Sequence, residues 1–134
     1  MSAFVLDTCA LIDLEFLDLG VFTGRLSLVS AITVGELASG VDIGDAAQQA
    51  ARAEVLRDTL ASFEVLPFGV EEAKLYGVLA TLVRATGRNP RPRRLDLQIA
   101  ATAAAARLPL LTCNPDDFVG VERLVDVVTV RRVR

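Results

Sequence analysis

Short apolar runs alternating with helix-periodic segments predict a single α/β domain, a central parallel sheet of four to five strands flanked by helices on both faces. Ala3-Phe4-Val5-Leu6 is continuously apolar, the pattern of a strand buried on both faces. Long helix-spaced segments separate it from the later runs of this kind. The 134 residues suit one domain, 1–134, with a core that needs no disulfide staples.

Asp7-Thr8 follows the first strand, and Cys9 to Leu19 then reads as a helix through Leu11, Ile12, Glu15, Phe16 and Leu19. Leu26 to Val29 is a second strand. Ser30-Ala31-Ile32 leads into Thr33-Val34-Gly35-Glu36-Leu37, the start of another helix. Asp45 to Phe63 is a long alanine-rich amphipathic helix with no Gly or Pro to interrupt it. Glu64 to Phe68 is a strand stopped by Pro67. Glu71 to Thr86 is a helix with an apolar face of Leu75, Val78, Leu79, Leu82 and Val83, closed by Gly87. Gly87 to Pro92 is a loop, and Leu95 to Arg107 is a helix made mostly of alanine. Leu108 to Thr112 is a strand, Asn114 to Asp117 a turn, and Val125 to Val130 a last strand at an edge.

Composition narrows the chemistry. There is no histidine, which removes serine and cysteine triads and most catalytic zinc sites. Lys74 is the only lysine, and no phosphate loop or GxGxxG turn is present. Carboxylates, hydroxyls, arginines and a bound metal remain for catalysis. Cys9 and Cys113 make no disulfide framework and read as small buried thiols. Met1 to Leu6 lacks a basic leader, and no apolar run spans a membrane, so the expected location is cytoplasmic. Hydrophobic residues reach 52%, with a mean hydropathy of +0.45, which points to apolar surface covered by a partner.

The net charge of −3 argues against wholesale coating of nucleic acid. The arginines are nevertheless unevenly placed. Arg84, Arg88, Arg91, Arg93 and Arg94 crowd one stretch, and Arg131, Arg132 and Arg134 end the chain.

Ligands of parallel sheets bind beyond the carboxyl ends of the strands. Asp7 follows the first strand, Asp117 follows the strand ending at Thr112, and Glu36 and Asp96 sit in first turns of helices. All four can meet at one sheet edge. Each also has a local use: Asp7 as a helix cap, Thr33-x-x-Glu36 as a capping box, Asp96 against a helix dipole, Asp117 in a turn. Two carboxylates about 4 Å apart repel by roughly 4 kcal/mol at an effective dielectric of 20, so four together call for cations. All-oxygen ligands suit Mg²⁺ or Mn²⁺. Such a metal activates water to cut phosphodiesters, and nearby arginines hold phosphate.

These residues, in this order and spacing, resemble the PIN domain ribonucleases, and within them the VapC-type toxins of bacterial toxin–antitoxin pairs. Val5-Leu6-Asp7-Thr8 is similar to the family's first motif and Thr33-Val34-Gly35-Glu36-Leu37 to its T-x-x-E-L element. Asp96 to Ala103 is similar to the helix that carries the third acid, and Thr112 to Phe118 to the T-x-N-x-x-D-F closing motif. The resemblance implies a PIN-like fold and Mg²⁺- or Mn²⁺-dependent endoribonuclease activity on RNA. It also implies a homodimer and inhibition by a cognate small antitoxin. It assigns Asp7 and Asp96 to a first metal, and Glu36 and Asp117 to completing the shell. Thr8, Thr112 and Asn114 are expected to hydrogen-bond to waters, carboxylates or phosphate, and Arg93 and Arg94, next to Asp96, are the candidates for contacting RNA. Asp116 leaves the identity of the fourth acid open.

Haloacid-dehalogenase phosphatases need a second Asp where Cys9 stands and a lysine near the site, whereas Lys74 lies in mid-helix. Receiver domains fail for want of the same lysine and an early acidic pair. The alternative of another class is a non-catalytic PIN-like module that holds a partner on the acidic cluster.

Overall fold

A computed structural model describes residues 3–133; Arg134, counted above with the terminal arginines, lies outside the described residues. The apolar runs form five strands: β1 (Ala3–Leu6), β3 (Leu26–Ser30), β4 (Glu64–Leu66), β5 (Leu110–Thr112) and β6 (Val127–Thr129). They make one sheet in the order β4-β3-β1-β5-β6, and every pairing is parallel. The central strand β1 is flanked by β3 and β5, with Leu6 opposite both Val29 and Leu111. Its side chains alternate between the two faces. Val5 joins Leu79, Val83, Leu97, Ile99, Leu110 and Phe118 in one core cluster, while Phe4 and Leu6 join Leu11, Val29, Leu111 and Val130 in the other. Both faces are therefore covered, as the uninterrupted apolar runs predict.

The helices α2 (Ala31–Ser39), α3 (Ala46–Ser62), α4 (Val70–Ala85) and α5 (Arg94–Ala106) follow the expected segments to within a few residues. The small side chains of α5 bury Ala100, Ala101 and Ala103 completely, which lets the helix lie close to α4 and the sheet. Helix α3 is held at its start by a capping box between Asp45 and Gln48. Thr59 is the only one of its side chains that is fully buried.

Three local expectations fail. The helix read over Cys9 to Leu19 stops at Ile12: α1 spans Thr8–Ile12, a 3₁₀ turn covers Leu14–Phe16, and Leu17–Asp18 forms a short strand, β2. Tertiary pairing overrides the periodicity here. β2 runs antiparallel to β7 (Arg131–Arg132), Arg132 bonds Asp13 at 3.1 Å, and its guanidinium lies 4.7 Å over the Phe16 ring. The last strand is likewise shorter than Val125 to Val130, because the chain leaves the main sheet at Val130 to make β7. It does lie at the edge.

The third failure bears on function. Thr33 does not cap a helix. Ser30 is the cap of α2, its hydroxyl accepting from the Ile32 N–H at 3.0 Å, and Thr33 lies inside the first turn. Glu36 is thus released from any capping role.

Candidate active site

The site lies where β1, β3 and β5 end and the following turns begin. Asp7 is the first residue after β1. Its carboxylate caps α1, with Oδ1 accepting from the Ala10 N–H at 2.8 Å, and only 3% of the residue is exposed. The capping role and a site role coexist, because a carboxylate has lone pairs for more than one partner. Asp96 occupies the third position of α5, and Asp117 lies in the 3₁₀ turn Pro115–Phe118 after β5. Glu36 projects from α2.

The four acids lie close enough for their charges to act on one another. Burial pushes the Asp96 carboxyl up to about 6, helped by the negative charges of Asp117, Glu36 and Asp7 and opposed by Arg93. Burial also raises Asp7, with Asp117 and Glu36 adding to the effect. Hydrogen bonds from Thr112 and Ala10 pull Asp7 the other way. The charge that acts on Asp7 and Asp96 is that of Asp117, whereas Asp116 is exposed and offers its backbone carbonyl to Arg88 at 3.3 Å.

Hydroxyls and an amide hold the acids. The Thr8 hydroxyl donates to Glu36 Oε1 at 2.7 Å and lies 3.1 Å from the Thr33 hydroxyl. Thr112 is fully buried, and its Oγ1 accepts from the Asn114 N–H at 2.9 Å. Asn114 Nδ2 donates to Asp117 Oδ2 at 3.0 Å. Ser30 and Thr102, both buried, bond at 2.9 Å and tie the end of β3 to α5. Thr33 is the residue that sequence reasoning misplaced. Its spacing three before Glu36 was read as a cap, yet the same spacing puts both residues on one helix face.

The two arginines part company. Arg93 pairs through Nη1 with Asp117 Oδ1, so it enters the acid cluster. Arg94 turns to the Arg91 carbonyl at 3.3 Å and is exposed. Both thiols lie nearby. Burial, then the charges of Asp7, Asp96 and Asp117, push Cys9 up to about 11, and burial with Asp7 raises Cys113. Cys9 is exposed, against the expectation of a buried thiol, whereas Cys113 packs partly into the core.

The donor set is all oxygen, which fits a hard divalent cation, and burial together with neighbouring negative charge raises Asp7 and Asp96. Among the described residues, no three acidic or thiol side chains stand ready as a metal cage. Glu36 is turned onto Thr8, and Asp117 onto Arg93 and Asn114.

Beside the acids runs an apolar cleft of about 430 Å³ lined by Thr8, Ile12, Leu37, Ala51 and Val55, with Glu36 and Arg52 at its polar border. It shares Ile12 and Val55 with a second cleft that continues between α1 and α3 to Phe63. Ile12 is 56% exposed here. Among the described residues no helix is long and apolar enough to cross a membrane.

A profile of the PIN domain matches residues 4–124. Ribonuclease VapC5 of Mycobacterium tuberculosis (strain ATCC 25618 / H37Rv) is 31% identical over 133 residues, covering 97% of this chain and 96% of that one. The crystal structure of VapBC-5 from Mycobacterium tuberculosis, a member of the VapBC family of toxin–antitoxin systems, superposes with a TM-score of 0.79. It is 31% identical and covers 98% of this chain and 99% of its own. FitAcB from Neisseria gonorrhoeae gives 0.70 at 26% identity, covering 92% and 95%. VapBC2 from Rickettsia felis, bound to promoter DNA, gives 0.71 at 20% identity over 96% and 99%, a likeness of fold alone. The five-stranded parallel sheet, the order of the acid-bearing motifs and these matches agree: the chain belongs to the PIN domain family.

Proposed function

We propose that residues 1–134 act as one PIN-type unit, a Mg²⁺- or Mn²⁺-dependent endoribonuclease that is the toxin of a toxin–antitoxin pair. The observation that supports this reading is that the charges of Asp117 and Glu36 act on both Asp7 and Asp96, just beyond the ends of the strands. Asp7 and Asp96 are the primary metal ligands, and Glu36 and Asp117 complete the shell or orient the attacking water. A cation bound there supplies a water of lowered pKa and neutralises charge developing on the phosphate. Thr8 and Thr33 hold Glu36 in place, while Thr112 and Asn114 hold the turn that presents Asp117. Arg93 and Arg94 receive the RNA backbone.

The partner is a small antitoxin. Support comes from the 31% identical VapBC-5 structure, described as a toxin–antitoxin system, and from the apolar cleft between α1 and α3. An amphipathic segment laid in that cleft would cover Ile12 and Val55 and end beside Glu36. A homodimer in the cytoplasm belongs to the same reading.

Purified, partner-free protein incubated with total RNA, with and without Mg²⁺ or Mn²⁺, tests the proposal. Discrete metal-dependent fragments are expected, absent with Asp7→Ala and Asp96→Asn. Folded, metal-loaded protein that leaves all RNA intact would instead favour the non-catalytic module that binds a partner through its acids.

A further inference from the structure

Resting on the metal-dependent reading above, we propose that Arg93 is a built-in counter-cation: it occupies Asp117 until a divalent metal displaces it, and displacement delivers its guanidinium to the RNA backbone. Both oxygens of Asp117 are engaged, Oδ1 by Arg93 Nη1 and Oδ2 by Asn114 Nδ2 at 3.0 Å. A cation that uses Asp117 has to compete with one of these donors. Asn114 shares the turn with Asp117 and stays with it, whereas Arg93 reaches in from another element, the 3₁₀ turn Arg91–Arg93.

Three features make Arg93 the group that leaves. A guanidinium cannot give up its proton in a protein, so it yields only by moving. Its side chain is 35% exposed and that of Asp117 21%, so the path outward is open and water can take over its hydrogen bonds. The next residue does not reinforce its hold on the acids: Arg94, at the start of α5, points to a backbone carbonyl. The pair is charge-assisted and stronger than a neutral hydrogen bond, so it does compete. Once freed, the planar fork lies beside the cluster and suits a phosphate bidentately, in a way an ammonium cannot. One residue thus guards the empty site and serves the filled one.

The test uses the whole chain, stripped with chelator and titrated with Mn²⁺, counting free hexaaquo ion by electron paramagnetic resonance. Wild type is compared with Arg93→Met, Arg93→Lys and Arg94→Met, and the KM for RNA is measured on the same proteins. Arg93→Met should bind Mn²⁺ roughly five- to tenfold more tightly, as removal of a competitor worth about 1 kcal/mol requires, yet raise KM for RNA. Arg93→Lys should restore wild-type Mn²⁺ affinity without restoring KM. Arg94→Met removes the same charge from the adjoining residue, the first of α5, and should leave Mn²⁺ affinity within about twofold, its side chain being turned away from the pair to the Arg91 carbonyl. Unchanged or weaker Mn²⁺ binding in Arg93→Met overturns the counter-cation while sparing the metal reading, and so does an equal gain in Arg94→Met. Absence of Mn²⁺ uptake by every protein, wild type included, overturns both.

Discussion

The Thr8 hydroxyl donates to Glu36 Oε1 at 2.7 Å while lying 3.1 Å from the hydroxyl of Thr33. This joins the start of α1 to the middle of α2 through side chains alone. One residue after Asp7, the chain thereby fixes the acid contributed by the neighbouring strand's helix. Thr8→Val keeps the shape and removes the donor. It should lower metal-dependent RNA cleavage by about ten- to a hundredfold, the usual cost of losing a group that orients a ligand. Thr33→Val should cost less, because Thr33 touches Glu36 only through Thr8. Cleavage rates and circular dichroism of both variants check this, and equal activity in Thr8→Val and wild type would remove Thr8 from its orienting role.

Asp96 makes the metal-free protein sensitive to pH. Its carboxyl holds a proton up to about 6 in the fold, against an ordinary value of 3.8. Between those values the native state binds more protons than the unfolded chain, so stability falls as pH rises and the full penalty applies above 6. Asp96→Asn removes the penalty. Without metal it should be more stable than wild type at pH 7, by about 1 to 2 kcal/mol after discounting for partial exposure, with the difference falling below about 0.5 kcal/mol near pH 4. Urea titrations at the two pH values measure it.

Cys9 reports the charge of the cluster. With its thiol pushed up to about 11 by burial and by three carboxylates, it should react slowly with iodoacetamide at pH 7.5 despite its exposure. Neutralising the carboxylates lowers its pKa and raises the thiolate fraction. Saturating Mg²⁺ should therefore speed alkylation of Cys9, followed by mass spectrometry. A rate indifferent to Mg²⁺ in wild type would mean that no cation sits among Asp7, Asp96 and Asp117.

Helix α5 ends on a strained residue. Arg107 adopts φ 57°, ψ 43° at its cap, the left-handed region in which side chains pay a penalty of about 1–2 kcal/mol. Leu108 N–H closes the turn on the Ala103 carbonyl at 3.0 Å. Arg107→Gly relieves the strain at some cost in chain entropy and should raise stability by about 0.5–1 kcal/mol, read as a higher Tm with cleavage unchanged.

The five strands and the chain order of the four acids were legible because buried parallel strands leave continuous apolar runs and their ends hold the ligands. Asp7, Asp96 and Asp117 could be placed from the strand or helix each adjoins. What lay outside such reading depends on distant partners. Leu14 to Leu19 carries helical spacing, yet Phe16 and Leu17 answer to Arg132 and Asp18 to Arg131, far along the chain. Thr33 was misread because Ser30 competes for the same cap. The bond between Arg93 and Asp117 joins a proline-flanked turn to another turn, and no periodicity encodes it.

Thr8 and Glu36 form part of the acid cluster and also part of the wall of the apolar cleft. An occupant of the cleft and a cation among the acids therefore share a boundary two residues thick. Thermodynamic reciprocity then applies. By whatever factor a cleft-bound segment weakens the hold on the cation, the cation weakens the hold on that segment. On the proposed reading, covering the cleft and loading the acids with metal would be two readings of a single coupling constant, measurable from either side.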